Sequence, residues 1–452
     1  MANFSKEEAK GIMAKVLSYS KADGCEVRLN GVRTGNIRFA RNSVSTTGIM
    51  RNTTLVVQSY FGKRSGVATV NEFDDASLEK VVRRSEELAQ LAPENPEFVA
   101  PLESKEYGPS ATYIEATDKI TPEMRAQAAD DCISAAVAGN VVTAGYLEDN
   151  SDVTAMMNSK GLFAYNKSTD LNLTVTMRTP DGTGSGWIGR DYNDITKLNT
   201  REASKIAIDK AVQSRDAKAI EPGKYTVILE PAASIELIRN MIFGMNARQA
   251  DEGRSFLSKK GGGTKLGEKM LDERVNLYAD PLNTEVPVCP WSPEGLPQKK
   301  MDLVRGGVFR NIFYDRYWAQ QKNVAPIPFP GNVIMEGGNT SLEEMIKNTK
   351  RGIWVTRFWY TNVVDFPSLL CTGLTRDASF YIENGKVKHP VKNFRFNESP
   401  LIILNNLEEL GKQVRIGSRG FNIGGFGIPP LSFMIPYMKV RDFNFTSLSD
   451  AV

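Results

Sequence analysis

The chain opens on a helical period. Ala9, Ile12, Met13, Val16 and Leu17 recur at steps of three and four, and Ser5 stands where an N-cap belongs, so Ser5–Ser20 is predicted to be an amphipathic helix. The period then falls to two. Cys25–Leu29 and Thr54–Tyr60 alternate as strands, Gly62–Gly66 turns the chain, Val67–Val70 returns, and a helix runs from Asp74 and Asp75 through Leu88, stopping before Pro93. A similar order recurs. Thr121 caps a helix over Pro122–Val137, with proline at the first helical position, where it is tolerated. Short strands at Tyr146–Leu147 and Val153–Met157 follow. Leu171–Arg178, a turn at Pro180–Gly184, a return over Trp187–Arg190 and a helix over Thr200–Gln213 complete the unit. Leu55 and Leu173 lie 118 apart (173 − 55), and Ser77 and Arg201 lie 124 apart (201 − 77). The similar offsets suggest an internal duplication of a helix–meander–helix unit.

The pattern changes after Pro222-Gly223. Pro281–Pro330 is rich in Pro, Gly and aromatics, Gly352–Asp365 is an apolar β-like run, and long helices are rare. The predicted fold is therefore α+β. An α/β domain over residues 1–222, internally duplicated, precedes a β-rich domain over 223–452, a barrel-like or curved sheet.

Composition adds limits. The chain has 452 residues, 41% apolar and 24% charged, with a net charge of +3, which suits a soluble globular protein. That near-balance argues against direct nucleic-acid binding, which concentrates Lys and Arg on one face. Cys25, Cys132, Cys289 and Cys371 are far apart, so no Cys-x-x-Cys pair serves zinc or redox work, and they read as buried thiols of a reducing compartment. The polar, charged start is unlike a secretory signal, and there is no apolar run of membrane-spanning length. The expected location is the cytoplasm.

Several motifs reduce to structure. Gly184-Ser-Gly-Trp-Ile-Gly189 matches a dinucleotide fingerprint, but it sits between strands with no helix directly after it, and reads as a hairpin turn. Lys259–Lys265 holds three glycines between lysines without P-loop spacing, and reads as a mobile surface loop suited to a lid or a contact. His389 is the only histidine, and no G-x-S-x-G elbow presents a serine to it. Trp291, Trp318, Trp354 and Trp359 gather with Phe309, Phe313, Tyr314 and Tyr317 in the C-terminal half, mostly as core. Gly417–Pro430 is a glycine-rich loop, either an interface or peptide-lined wall or an ordinary connection.

The most specific stretch lies near the C-terminus: Gly373-Leu-Thr-Arg-Asp377, Ile382-Glu-Asn-Gly385, Pro390-Val-Lys-Asn393 and Arg395-Phe-Asn-Glu-Ser399. Phe380 and Ile382 alternate into Asn384-Gly385, which supplies the positive φ of a tight hairpin, and Val387, Val391 and Phe394 carry the chain back. The pattern resembles the TldD/TldE (PmbA) family, the peptidases once named modulators of DNA gyrase. Asn158–Gly161, the strand Tyr225–Glu230 before a helix, and Arg254-Ser-Phe-Leu257 fall in the family's order. The resemblance implies an N-terminal α/β domain and a β-rich C-terminal domain.

It also implies where chemistry should stand. Active TldD-type members carry His-Glu-x-x-x-His on the helix after that strand, two imidazoles for one zinc and a Glu to activate its water. Here the first His position falls on Arg239, the Glu on Asn240 and the second His on Gly244. A cationic Arg repels zinc, and glycine offers no ligand. The chain is expected to hold no catalytic residue and no metal, with zinc only in a TldD-type partner. Arg239, Arg254, Arg376 and Asp377 are the candidates for a peptide site or cavity wall, Arg because its fixed fork of donors suits a carboxylate or a peptide backbone. An ordinary ion pair is the competing reading of Arg376, Asp377 and Arg254. By resemblance the chain is a TldE/PmbA-type, non-catalytic subunit of a metallopeptidase that cleaves unfolded peptides, a hetero- or homodimer. The alternative is a stand-alone peptide-binding or scaffold homodimer without peptidase activity.

Overall fold

The structure is a computed structural model, and it describes residues 4–417 and 431–449. The glycine-rich stretch Gly417–Pro430 lies, but for Gly417, outside them.

The N-terminal half is one six-stranded antiparallel sheet with helices on one face. Its elements are α1 (Lys6–Tyr19), β1 (Gly24–Ala40), β2 (Ser43–Phe61), β3 (Arg64–Val70), α2 (Asp75–Leu91), the short α3 (Glu115–Asp118), α4 (Pro122–Ala138), β4 (Val142–Asn158), β5 (Phe163–Arg178), β6 (Ser185–Tyr192) and α5 (Thr200–Gln213). Ser5 and Glu8 form a reciprocal capping box, and Thr121 caps α4 with Pro122 behind it.

The strand order β3-β2-β1-β4-β5-β6 is palindromic, as duplication demands. β1 and β4 pair antiparallel at the centre, with Arg33 opposite Ser151, which are 118 apart in sequence (151 − 33). Gly66 of β3 pairs with Ser59, and Gly186 of β6 pairs with Met177, again a step of 118 between the partners (177 − 59). Both glycines are there for closeness. A Cβ on Gly66 would meet the backbone of Ser85 and Ala89 at 2.3 and 2.2 Å, and one on Gly186 would meet Ala207 O at 2.2 Å. Each lets a helix lie directly on its strand.

The expected breaks in β1 and β4 are absent: Tyr146–Leu147 and Val153–Met157 belong to one strand, and Cys25–Leu29 is the start of a 17-residue one. The polar residues that looked like loops are buried in mid-sheet. Asp149, fully buried, pairs with Arg125 at 2.6 Å and with Arg33 at 3.3 Å, and Thr34 donates to Asn150 at 2.6 Å. Gly35 exists to admit the Arg125 guanidinium, which lies 2.2 Å from where its Cβ would be.

The C-terminal half is a larger sheet built on β7 (Gly223–Leu229) and β19 (Ser432–Leu448). Between them run β8 (Leu277–Ala279), β9 (Met301–Arg305), β10 (Val308–Phe309), β11 (Asn332–Met335), β12 (Arg351–Val355), β13 (Phe358–Asp365), β14 (Leu370–Thr375), β15 (Ser379–Glu383), β16 (Lys386–Pro390), β17 (Phe394–Glu398) and β18 (Leu407–Gly417). The barrel-like form expected from the sequence is not a closed barrel. The main path ends at β10 and β16, which do not pair, and β17, β14 and β13 branch from β19. The physical reason is β19 itself. It shifts register between Val440 and Phe443 and changes neighbours along its length, which divides the sheet instead of closing it. The predicted hairpin is present: Asn384 and Gly385 take φ of 50° and 74°, the pair of positive values a two-residue turn needs. One helix, α6 (Pro231–Phe243), is buried against the sheet. Among the described residues no helix is long and apolar enough to cross a membrane.

Candidate functional site: the substituted zinc positions of helix α6

Helix α6 follows β7 directly, with Pro231 at its first turn. Glu230, at its N-cap, is held by Lys210 of α5 at 2.7 Å and by the Trp354 indole at 3.1 Å. Ala233, Ile235, Leu237, Ile238, Met241 and Ile242 are all buried, so the helix is wedged into the core. Any polar side chain on it must find its partner inside the protein.

Arg239 donates to Glu236 one turn back, at 3.2 Å, and both are buried. Glu236 Oε1 has no hydrogen-bond partner among the described residues. Burial pushes the Glu236 carboxyl up to about 7, against the pull of Arg239 and Arg357. Asn240 directs its amide at Cys371 Sγ, 3.9 Å away on β14. Burial raises that thiol to about 11, so Cys371 is not a thiolate at neutral pH. Gly244 caps the helix, and a Cβ there would stand 3.0 Å from the Phe256 ring. Any side chain at this position would crowd the Phe256 ring. Among the described residues no three His, Cys, Asp or Glu side chains gather in a way that could hold a metal. This donor set does not fit zinc.

The candidates separate into two places. Arg376 and Asp377 join the α6 cluster through Arg357. The Arg357 guanidinium donates to Asp377 Oδ2 at 2.9 Å and lies between the rings of Trp187 at 4.1 Å and Trp359 at 4.7 Å. Asp377 also accepts from Ser185 Oγ at 2.8 Å, and Arg376 lies over Trp359 at 5.0 Å and 3.9 Å from Asp377 Oδ2. Ser185 and Trp187 belong to β6, so this network fastens the N-terminal sheet to the C-terminal one. Arg254 is elsewhere. It is exposed and pairs with Glu252, while its neighbour Ser255 donates to Gly244 O at 2.8 Å. His389 faces Pro390 O and stacks on Tyr381, and Lys265 of the glycine loop reaches back to Phe256 O.

The sequence reading did not find a cavity of about 360 Å³ between the two sheets. Asn30, Asp152, Asn166 and Ser168 form its wall on the helix-free face of the N-terminal sheet, and Val288 and Trp291 close it from the other side. Arg415 of β18 bridges the seam to Asp191 of β6 at 2.8 Å. The available signal was alternation. The polar positions that alternate along β1, β4 and β5 would suit a solvent face, but the second half of the chain covers them.

Three family models match, described as PmbA/TldA metallopeptidase domain 1 over residues 25–89, the central domain over 109–215 and the C-terminal domain over 222–447. A metalloprotease of Methanothermobacter thermautotrophicus is 23% identical over 352 residues, 72% of this chain and 74% of that protein. Metalloprotease PmbA of Escherichia coli O157:H7 is 20% identical over 413 residues, 88% of each. The crystal structure of TldE from Thermococcus kodakarensis superposes with a TM-score of 0.85 at 17% identity, covering 96% of this chain and 100% of that one, which shows a shared fold. With models matching along most of its length, this chain belongs to the PmbA/TldD metallopeptidase family.

Proposed function

We propose that this chain is the TldE/PmbA-type, non-catalytic subunit of a two-chain metallopeptidase that cleaves unfolded peptides, with zinc held by a TldD-type homologue. One observation carries the reading. The helix that bears His-Glu-x-x-x-His in active members here bears Arg239 bound to Glu236, Asn240 facing a protonated thiol, and Gly244 packed under Phe256. Arg239 and Gly244 are buried in these contacts, and Asn240 is half-buried. The partner then supplies imidazole, carboxylate and metal-bound water. This chain supplies wall. An extended peptide is held largely through main-chain groups, which every sequence offers, so the arrangement suits unfolded substrates of varied sequence.

The test is stoichiometry. This chain and a zinc-bearing homologue from the same organism, purified separately and mixed, are expected to co-elute with one zinc per pair. Zinc retained by this chain alone after dialysis would overturn the proposal.

A further inference from the structure

The floor of the cavity between the two sheets carries hydrogen-bonding groups that the fold does not use. Asn30 of β1 lies opposite Thr154 of β4, and Thr154 lies opposite Asn166 of β5, so the three form one row across three strands. Neighbours in such a row stand about 5 Å apart. Yet the Asn30 amide and the hydroxyls of Thr154 and Ser168 make no hydrogen bond among the described residues. Asn166 is only 6% exposed. Its Oδ1 accepts from Thr112 Oγ1 at 3.2 Å, and its amide nitrogen has no partner among the described residues.

The charged residues around this floor are already engaged. Arg415 holds Asp191 at 2.8 Å, Arg28 holds Glu26 at 2.7 Å, Asp170 accepts from Asn150 at 3.1 Å, and Asp152 is not free. What remains is neutral: two carboxamides and two hydroxyls. The facing wall is apolar, with Val288 and Trp291, and Met156 packs against Trp291 beside the row. Polar groups buried without partners cost free energy, so something inside the cavity satisfies them, either water or a ligand that displaces it. The volume of about 360 Å³ is at the lower end for a small-ligand pocket.

We infer that this cavity binds a short, uncharged, extended peptide segment through its main-chain amides. A carboxamide offers a donor and an acceptor side by side, as a peptide group does, so Asn30 and Asn166 each match one main-chain amide. The hydroxyls of Thr154 and Ser168 serve the remaining groups, and an apolar side chain of the peptide turns towards Val288 and Trp291. The row crosses two strand spacings, about 10 Å, which is the length of three extended residues. With the surrounding charges engaged, a nucleotide or a metal ion is a poor match. The inference rests on the peptidase reading for the source of the peptide, and it gives the wall supplied by this chain a defined binding site.

The probe is the capped tripeptide acetyl-Ala-Leu-Ala-amide, titrated into the full chain alone and followed by the ¹³C-methyl resonance of Met156. Saturable binding is expected, with a dissociation constant on the order of 0.1–10 mM. It should weaken at least tenfold in Asn30→Leu/Asn166→Leu and in Thr154→Phe, which fills the cavity. It should be unchanged in Asn52→Leu, an exposed position on the same face outside the cavity. Each variant is first matched to the parent by its thermal unfolding midpoint. If the double variant fails that match, Asn30→Leu alone, at a half-buried position, carries the test. No saturation up to about 50 mM, binding indifferent to the row variants, or binding of maltose but not of the tripeptide would each overturn the inference. Zinc stoichiometry of the mixed pair is a separate readout, so failure here and failure of the subunit proposal are distinguishable.

Discussion

At the residue scale, the α6 cluster is a set of buried charges held by few partners. Glu236 is the sharpest case. Its folded pKa, about 7, lies above its ordinary value because burial disfavours the anion. The sign follows. Above pH 4.5 the unfolded state loses this proton while the folded state keeps it to about pH 7, so the group lowers stability as pH rises between those values. Glu236→Gln removes the titration and should flatten the wild-type decline, measured as urea unfolding free energy from pH 5 to pH 8. An unchanged slope would mean Glu236 is ionised in the fold. Asp377 is the counter-case, since it neutralises Arg357, which is itself sealed between two indoles. Asp377→Asn keeps a side chain tolerant of the observed φ of 55° and removes the charge. Breaking such a buried pair costs roughly 3–5 kcal/mol, so a fall of that size in unfolding free energy is expected.

At the element scale, the helix-on-strand contacts of the two repeats depend on glycine. Gly186→Val forces β-branched bulk into the backbone of α5 and should destabilise by roughly 1–3 kcal/mol or more. Gly66→Val should do the same at α2, and equal penalties would be the energetic signature of the duplication. The α6 positions give a second test. Restoring the motif by Arg239→His, Asn240→Glu and Gly244→His should not restore zinc binding, because a side chain at 244 is crowded by Phe256. Stoichiometric zinc in that triple variant would show that the site is latent.

Elements are also where sequence and structure can be compared. Helix starts were legible from caps at Ser5 and Thr121, while the capping box of Ser341 and Glu344 went unread. The hairpin was legible from Asn384-Gly385. The centres of β1 and β4 were not, because Arg33 with Asp149, and Thr34 with Asn150, are polar pairs satisfied across strands, a long-range fact that no local window contains. The Arg357–Asp377 group was hidden for the same reason, since half of its partners, Ser185 and Trp187, come from a different sheet.

At the scale of the whole molecule, two sheets are fastened by Arg357–Asp377–Ser185 at one point and by Arg415–Asp191 at another, with a polar-walled cavity between them. On the reading proposed above, this molecule shapes a peptidase and another chain performs the hydrolysis. The direct measurement is cleavage of an unstructured peptide by this chain alone, by a zinc-bearing TldD-type homologue from the same organism, and by the two together, each with and without chelator. No cleavage is expected from this chain alone, and chelator-sensitive cleavage in the mixture should exceed the homologue's own. Cleavage by this chain alone, surviving the chelator, would contradict it.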